Sequence, residues 1–560
     1  MKPKTSLELI EEAERKTFKG LHDRMDSDAA LAGLARHKLT NASGEEVPGG
    51  ISVTMPDPGI FLKVVASWIM EAKWQTVVEG KLTGKQQNMI EGFLNDLEED
   101  VDERLSKTEY GNLLPFLASH ICGRGWIAAR RVWLWDDKRE MTYLDVVPID
   151  MRYCSYERSK GCYDWVGVRS LRSKASILKE YEITIRGGDT EVEVVDWWND
   201  EREEIWIDKK LVPSTPQRPM PNTHRIGYPP FVIVPAPEGF MFLDRGYMTK
   251  RGESIFFLGR DTFEEYNRIV SIDQSLALLS LAPPYQKVTS PNEPKSPYPN
   301  EPGSTYDLPD AAKYELIPQP DINMAGRQAF AVISAAIQRV GVNNIDLGNI
   351  SQPTSSIWIT EQTEIRSKLI GPRLRAIADF KKLSARMDID QYQKGNFNAL
   401  VGKQGKKTHY SATDLGDPDT YDILYQGMSR SKKQEIANMA LFNASAGLSL
   451  KTRLKDILLH DDPDGEMVRI DAERAEEADP ALFFFRKAYS LAVEAQNLTG
   501  LEADKTNLES MMLVRKGEEL LRGASEPTQI PKPKANSNML LPLLGEKGMK
   551  GNSQQEGVGE

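Results

Sequence analysis

The chain is 560 residues long, 40% hydrophobic and 27% charged, with a formal net charge of −11. That length exceeds what one hydrophobic core organises and predicts two to four structural regions. The acidic balance argues against a protein that grips nucleic acid through its phosphates, because such affinity comes from a basic surface that releases counterions; either nucleic acid is irrelevant to the chain or it is handled without being gripped. No apolar run reaches the roughly 18–20 residues of a membrane span. "MKPKTSLELIEEAERKTFKG" lacks the apolar core and cleavage site of a secretory signal, so cytosolic synthesis of a soluble, globular protein is expected. Cys122, Cys154 and Cys162 make no CxxC pair, which points to free structural thiols and away from zinc or a disulfide framework.

Residues 5–37 read as helical, with Leu7, Ile10, Leu31 and Leu34 set among charges, and "NASGEEVPGG" (41–50) as a linker. A helical region is expected from about 59 to 121. The periodicity then switches to two. "WIAARRVWLW" (126–135), "MTYLDVV" (141–147), "YDWVGVRSL" (163–171) and "FVIVPA" (231–236) are rich in β-branched and aromatic residues. Residues 192–212 read as a hairpin with a charged turn. These segments predict a mixed or antiparallel sheet inserted into a helical framework. The pairs Trp133/Trp135 and Trp197/Trp198 lie near Arg130 and Arg131, which would suit base stacking. Strand aromatics more often pack a core or an interface, and an interface is the expectation for these.

From 252 a helical stripe of Ile255, Leu258, Tyr266, Ile269, Leu276 and Leu279 returns, with Arg260, Asp261, Glu264, Glu265 and Arg268 mostly off it. "APP" at 282–284 stops that helix. The proline-dense stretch after it ends in the alternating "AKYELIPQP", which predicts a short strand in a small ordered module. Phe330, Ile333, Ile337 and Val340 mark another helix. A polar loop beginning "NNIDLGNISQPTSS" follows, with Asp346 its one charge. Next comes a long helix from about 355 to 394, carrying Ile365, Leu369, Ile377, Phe380, Leu383 and Met387. Gly371-Pro372 kinks it, since an internal proline removes a backbone hydrogen bond. Residues 395–428 read as irregular. Ser431 with Gln434 fits a capping box, "LKTRLKDILLH" reads as a further helix, and 466–523 is strongly helical and charged. From 524 the composition predicts disorder, apart from a short apolar "MLLPLLG".

Catalytic patterns are absent. The six histidines make no HxH or HExxH, and neither GxxxxGK[ST] nor GxSxG occurs. "GRG" (123–125) reads as a turn entering a strand. "DDPDGE" (461–466) gathers acidic groups but lacks EF-hand spacing, and reads as a turn before a helix whose acidic first turn suits the macrodipole. No catalytic, cofactor-binding or metal-ligating residue is assigned, and no cofactor is expected.

The order of these elements is distinctive: helices, inserted sheet, helix, proline-rich module, helix, polar loop, long kinked helix, helical C-terminal region. With "LPFLASHICGRGWIAARRVW", "YLDVVPIDMRYCSYE", "LAPPYQ", "PGSTYDLPDAAKYELIPQPDIN", "TEQTEI" and "LLHDDPDGEMVRIDAERA", it resembles the portal proteins (head-to-tail connectors) of tailed bacteriophages over about residues 60–480. The resemblance implies an α+β, mostly α-helical portal fold with an inserted β-rich wing region and a small clip module. It implies a non-enzymatic homo-oligomeric ring, a dodecamer, made in the host cytoplasm and placed at one capsid vertex of the virion. Double-stranded DNA would pass through the ring during packaging and ejection. The terminase large subunit, which would hold the ATPase, would dock on it, as would a head–tail adaptor and the major capsid or scaffold protein.

Carried onto this chain, the resemblance places an N-terminal helical segment and linker at 1–50, the wing at 51–251, stem helices at 252–283 and 322–341, and the clip at 284–321. The tunnel loop would be 342–356, the long kinked wing helix and its following segment 357–428, the helical crown 429–523, and the tail 524–560. Asn343, Asn344, Asp346, Gly348, Asn349, Ser351, Gln352 and Thr354 would then face DNA. Glu293, Lys295, Glu301, Asp307 and Asp310 would belong to the docking rim of the clip. Between 252 and 321 five Lys/Arg stand against eleven Asp/Glu. A conduit must let DNA slide both ways, and strong phosphate contacts would act as a brake. Two other classes compete: another structural virion component such as a connector or scaffold, and a metal-dependent nucleic-acid-processing enzyme.

Overall fold

The computed structural model describes residues 4–80, 82–136, 141–187, 190–215, 219–240, 242–281, 285–288, 313–316, 324–340, 356–428 and, beyond these, parts of 439–523. The fold is mixed α+β and divides into two units, residues 1–432 and 433–560.

The first unit opens with α1 (Ser6–Ala13) and α2 (Lys19–Ala32), joined by one π-helical turn. Thr5 caps α1, and Glu8 closes the capping box by returning its carboxylate to the Thr5 amide. An extended segment leads to α3 (Asp57–Met70). The helical run expected to 121 is then broken by strand β1 (Lys73–Gly80) before α4 (Gly84–Leu105) and α5 (Leu113–Gly123). Next come β2 (Trp126–Asp136) and β3 (Met141–Ile149), an antiparallel pair. β4 (Cys154–Ser159), β5 (Cys162–Ser173), β6 (Glu191–Asn199), β7 (Arg202–Ile207) and β8 (Lys210–Leu211) continue as a meander, with α6 (Lys174–Tyr181) after β5. β9 (Asn222–Thr223) pairs with β7, and β10 (Phe231–Pro235) returns to β2, making β2 the centre of a three-stranded sheet. The β6–β7 hairpin turns on Asp200 and Glu201, the charged turn read from the sequence.

The tryptophan pairs correct the interface expectation. Trp133, Trp197 and Trp198 are buried within the subunit, and only Trp135, at the end of β2, is open at 59% exposure. Trp197 and Trp198 are neighbours on a strand and so face opposite sides of the sheet. Trp197 packs with Leu7 and Ile10 of α1, and Trp198 with Phe18, Met25 and Phe231.

Helix α7 (Arg260–Leu281) starts later than the expected 252, because residues 252–259 form turns that bury Ile255 and Phe256. β11 (Tyr285–Val288) and β12 (Lys313–Leu316) pair antiparallel, and α8 (Met324–Val340) follows. The 39-residue α9 (Ser356–Lys394) then runs through the main core, burying Ile370, Ile377, Phe380, Ile389 and Tyr392. Residues 395–428 are not irregular. They form the hairpin β13 (Asn398–Val401) and β14 (Thr408–Ser411), then β15 (Tyr421–Met428), which pairs antiparallel with β1 from Lys73↔Met428 to Gly80↔Tyr421. Tyr421, Ile423 and Tyr425 alternate inward along β15, so its period of two was present in the sequence.

In the second unit α10 (Pro480–Gln496) and α11 (Leu501–Gly523) form an antiparallel hairpin. Its seam is made of small residues at seven-residue spacing: Ala481, Ala488 and Ala495 on α10, Ser510 and Gly517 on α11. The helices approach closely enough for the Ser510 hydroxyl to donate to the Ala488 carbonyl at 2.7 Å. A Cβ on Gly517 would press on the Phe485 ring at 3.0–3.1 Å. Ser431, Gln434 and 461–465 of "DDPDGE" lie outside the described residues.

Candidate functional site

The segment with the most functional content runs from the base of α7, over the β11–β12 pair, and back down α8. Its base is a buried charge cluster. Arg260 makes a two-pronged pair with Asp28 at 2.5 and 2.9 Å and reaches Glu253 at 2.6 Å. Arg24 meets the other Glu253 oxygen at 3.2 Å and donates to the carbonyls of Thr249, Arg251 (3.1 Å) and Gly252 (2.8 Å). Burial acts to lower the pKa of both arginines. For Arg24 that effect prevails over Glu253, whereas at Arg260 the bonds and charges of Asp28 and Glu253 reverse it and raise the pKa. Removing one member of such a cluster strands a buried charge and costs about 3–5 kcal/mol.

Two glycines let the backbone pass here. Gly125 (φ +74°) ends the turn into β2, and its missing side chain leaves room for the Gly252 carbonyl. Gly252 (φ +61°) lies against the Trp126 indole, whose N–H donates to the Arg251 carbonyl at 3.1 Å. The turn expected at "GRG" is therefore the seat of α7.

Along its length α7 is held by a strap. The amides of Met55, Val53 and Ile51 donate to Asn267 Oδ1, Ser271 Oγ and Ser275 Oγ at 2.8, 2.9 and 2.8 Å. Helix positions i and i+4 rise about 6 Å and strand positions i and i+2 about 6.6 Å, so one polar stripe can serve alternate amides. Sequence reading missed this stripe, although "NRIVSIDQS" carries it. Polar residues on a helix usually read as a solvent face.

Level with the first rung of the strap, next to Asn267, Tyr266 of α7 stacks on Phe330 of α8 with ring centroids 5.9 Å apart. The β11–β12 ladder pairs Tyr285 with Leu316 and Val288 with Lys313. Of the residues expected at a docking rim, Glu293, Lys295, Glu301, Asp307 and Asp310 lie outside the described residues. The same holds for Asn343, Asn344, Asp346, Gly348, Asn349, Ser351, Gln352 and Thr354, which sit in the chain between α8 and α9.

Gly371 and Pro372 do lie inside α9. Pro372 has no N–H and disturbs the helical ladder one turn back. The acceptor that loses this donor is the Lys368 carbonyl, and the adjoining turn is braced by Arg373, whose guanidinium donates to the Leu369 carbonyl at 2.7 Å and makes a two-pronged pair with Glu238 at 2.8 and 2.6 Å. Glu238 belongs to the segment that leads into α7, so the proline-bearing turn of α9 is tied directly to the approach to that helix. Further along α9, Asp388 pairs with Arg131 of β2 at 2.6–3.1 Å in full burial.

Among the described residues no group of three or more His, Cys, Asp or Glu could hold a metal ion, and no helix is long and apolar enough to cross a membrane. Cys122 and Cys154 are buried, and burial pushes the Cys122 thiol up to about 12. A thiol so rarely ionised is a packing group.

No family model matches the sequence, and no curated protein matches it significantly. Among solved structures, the chain is similar to one from the neck of a native GTA particle computed with C12 symmetry. There the identity is 10% and the TM-score 0.37, over 71% of this chain and 89% of that one. It is also similar to a chain from the virion of a native gene transfer agent (GTA) particle, at 10% identity and TM-score 0.38, over 78% of this chain and 98% of that one. At these values the likeness carries no argument about what the chain does.

Proposed function

We propose that the chain is a phage portal protein. Identical copies close into a ring, a dodecamer, at one capsid vertex. DNA passes along the axis during packaging and ejection, and the terminase large subunit, the head–tail adaptor and the capsid or scaffold protein dock around it. The observation that carries this reading is α7, the β11–β12 ladder and α8 in direct succession: two packed helices tipped by a small antiparallel pair. That is the stem–clip–stem order of the resemblance. The apolar α8 adds support, because Phe330 and Val332 are exposed on the single subunit and a neighbouring copy would cover them. The excess of acidic over basic residues between 252 and 321 suits a channel that does not hold DNA.

In this reading residues 342–356 form the tunnel loop, and the Arg373–Glu238 pair fixes the kink of the helix that follows it. Changing Asn344, Asn349 and Ser351 together to lysine leaves assembly nearly intact. It slows packaging, because a ring repeats each new charge in every subunit, and the defect shrinks as salt rises. Normal packaging at low salt by a correctly assembled triple variant would contradict the loop assignment.

A further inference from the structure

Strand β5 has an open edge. β4 pairs with it only as far as Cys154↔Val168, whereas β6 pairs with it on to Ser173↔Glu191. Among the described residues, 169–173 therefore face no strand on the β4 side. Main-chain groups alternate in direction along a strand. The Lys174 amide donates to the Thr190 carbonyl at 3.3 Å, and the Asp208 amide to the Glu193 carbonyl at 3.1 Å. Both bonds set Ser170 and Arg172 toward Val194 and Val192 of β6, and turn the N–H and C=O of Leu171 outward. No hydrogen bond reaches the Leu171 main chain among the described residues.

Exposed edges are usually blunted by charged side chains. Both arginines of this edge are drawn away from it. Arg169 donates to Glu14 at 2.7 Å and to Glu193 at 2.9 Å, and Arg172 donates to Glu180 at 2.8 Å. Leu171, 70% exposed, and Tyr153, 50% exposed, are left beside the bare backbone. Cavities of about 830 and 330 Å³ flank the edge, and Tyr153, Arg169, Ser170 and Leu171 line both. The larger reaches Glu193, which lies opposite Leu171 on one face of the sheet. The smaller reaches Asp196, opposite Val168 on the other face.

The two cavities differ in charge. In the larger, Glu14 and Glu193 are held by Arg169, Arg152 by Asp26, and Glu11 lies 3.9 Å from Lys209. Arg15 and Lys19 are left without an ion pair among the described residues, against one such acid, Asp23, while His22 is neutral. In the smaller, Asp150 and Asp196 are taken by Arg124 and Arg130, and Glu109 is the acid left over. Its wall is aromatic, with Tyr110 and Phe116 edge to face at 6.0 Å.

We propose that the open edge of β5 takes up an extended segment of a partner protein as an added strand, with acidic side chains over the larger cavity and apolar ones over the smaller. Main-chain hydrogen bonds hold the segment, and its side chains choose the register. Pairing with the same edge of a second copy would bring Arg15 and Lys19 of both copies to one face, which like charge disfavours.

The probe is an acetylated and amidated hexapeptide of alternating Glu and Val, titrated onto the full-length protein. It binds and slows hydrogen exchange at the Leu171 and Ser173 amides, while the Ser170 and Arg172 amides, already donated to β6, stay unchanged. Leu171→Pro weakens binding by about tenfold, since proline removes the outward N–H and none that β6 uses. Its melting temperature stays near that of the wild type, and Leu171→Thr, which keeps the amide, binds more tightly than Leu171→Pro. Arg15→Glu with Lys19→Glu weakens the Glu–Val probe by about tenfold and strengthens a Lys–Val probe. Probes N-methylated at every Val or at every Glu separate: the one whose methyl groups meet β5 loses binding and the other keeps it. A parent probe that does not bind, equal affinity of the two methylated probes, or unchanged binding to Leu171→Pro overturns the proposal. So does protection of the Leu171 amide without probe that is lost on dilution or on truncation after residue 523, because a second copy or the chain's own tail is then the occupant.

Discussion

The C-terminal arm of α9 and the α10–α11 hairpin are both helical and both rich in apolar residues, yet they place their large side chains in opposite directions. In α9, Ile377, Phe380, Ile389 and Tyr392 are buried within one subunit, and even the charge of Asp388 is satisfied there by Arg131. In the hairpin, alanine, serine and glycine take the buried positions and leave tyrosine, methionine and leucine outside. Each buried apolar Å² is worth roughly 25 cal/mol, so α9 obtains its stability from its own chain, whereas the hairpin's largest apolar side chains contribute little of that term within the single chain. Where the large residues lie separates a filled core from an apolar surface left open on the single chain.

The sharpest way to break that contrast is Asp388→Ala. It leaves the Arg131 guanidinium buried without its anion and destabilises the first unit by about 3–5 kcal/mol in denaturant unfolding. Tyr489→Ser in dilute monomer changes stability by less than about 0.5 kcal/mol. Similar losses for the two variants would refute the contrast.

A second effect is pH-dependent. His22 is buried beside Arg152, and burial first, then that charge, lower its pKa from 6.5 to about 4. The unfolded chain therefore binds the proton more readily. The stabilisation from a neutral His22 is complete above about pH 6.5 and is lost as pH falls through 4, on the order of 3 kcal/mol in all. His120, lowered mainly by burial, has the same sign. His22→Gln should flatten the fall in melting temperature between pH 6.5 and 4, and an unchanged slope would remove His22 from the account.

A smaller effect tests the strap. Ser271→Ala and Ser275→Ala each cost about 1 kcal/mol, and hydrogen exchange should speed up at the amides of Val53 and Ile51 while the α9 core stays protected. Uniform acceleration would mean that the strap is not a local clamp. The smallest effect is at Gly371, where an added Cβ meets nothing within 4 Å. Gly371→Ala should stabilise α9 by up to about 1 kcal/mol, since alanine is the better helix former.

Much of the architecture is legible in the local pattern. The β6–β7 hairpin shows its turn, α9 shows its stripe and Pro372, and "AKYELIPQP" shows the strand that becomes β12. What local pattern does not show is pairing across the chain. β1 is hidden in a helical neighbourhood because its partner, β15, lies at the other end of the unit. The start of α7 was set too early because Ile255 and Phe256 are apolar yet belong to buried turns. The pairings of the arginines that seat α7 and brace the turn at Pro372 left no sequence signal, since their partners Asp28, Glu253 and Glu238 are remote or unpatterned. The polar loop and the acidic rim were legible only as composition and position.

The central claim is that copies of this chain surround DNA, and it is tested most directly by electron micrographs of the purified full-length protein, combined with its native mass. The account predicts closed rings of identical copies with an axial hole that admits a DNA duplex. A protein that stays monomeric at every salt concentration, or assembles without a central hole, would contradict it.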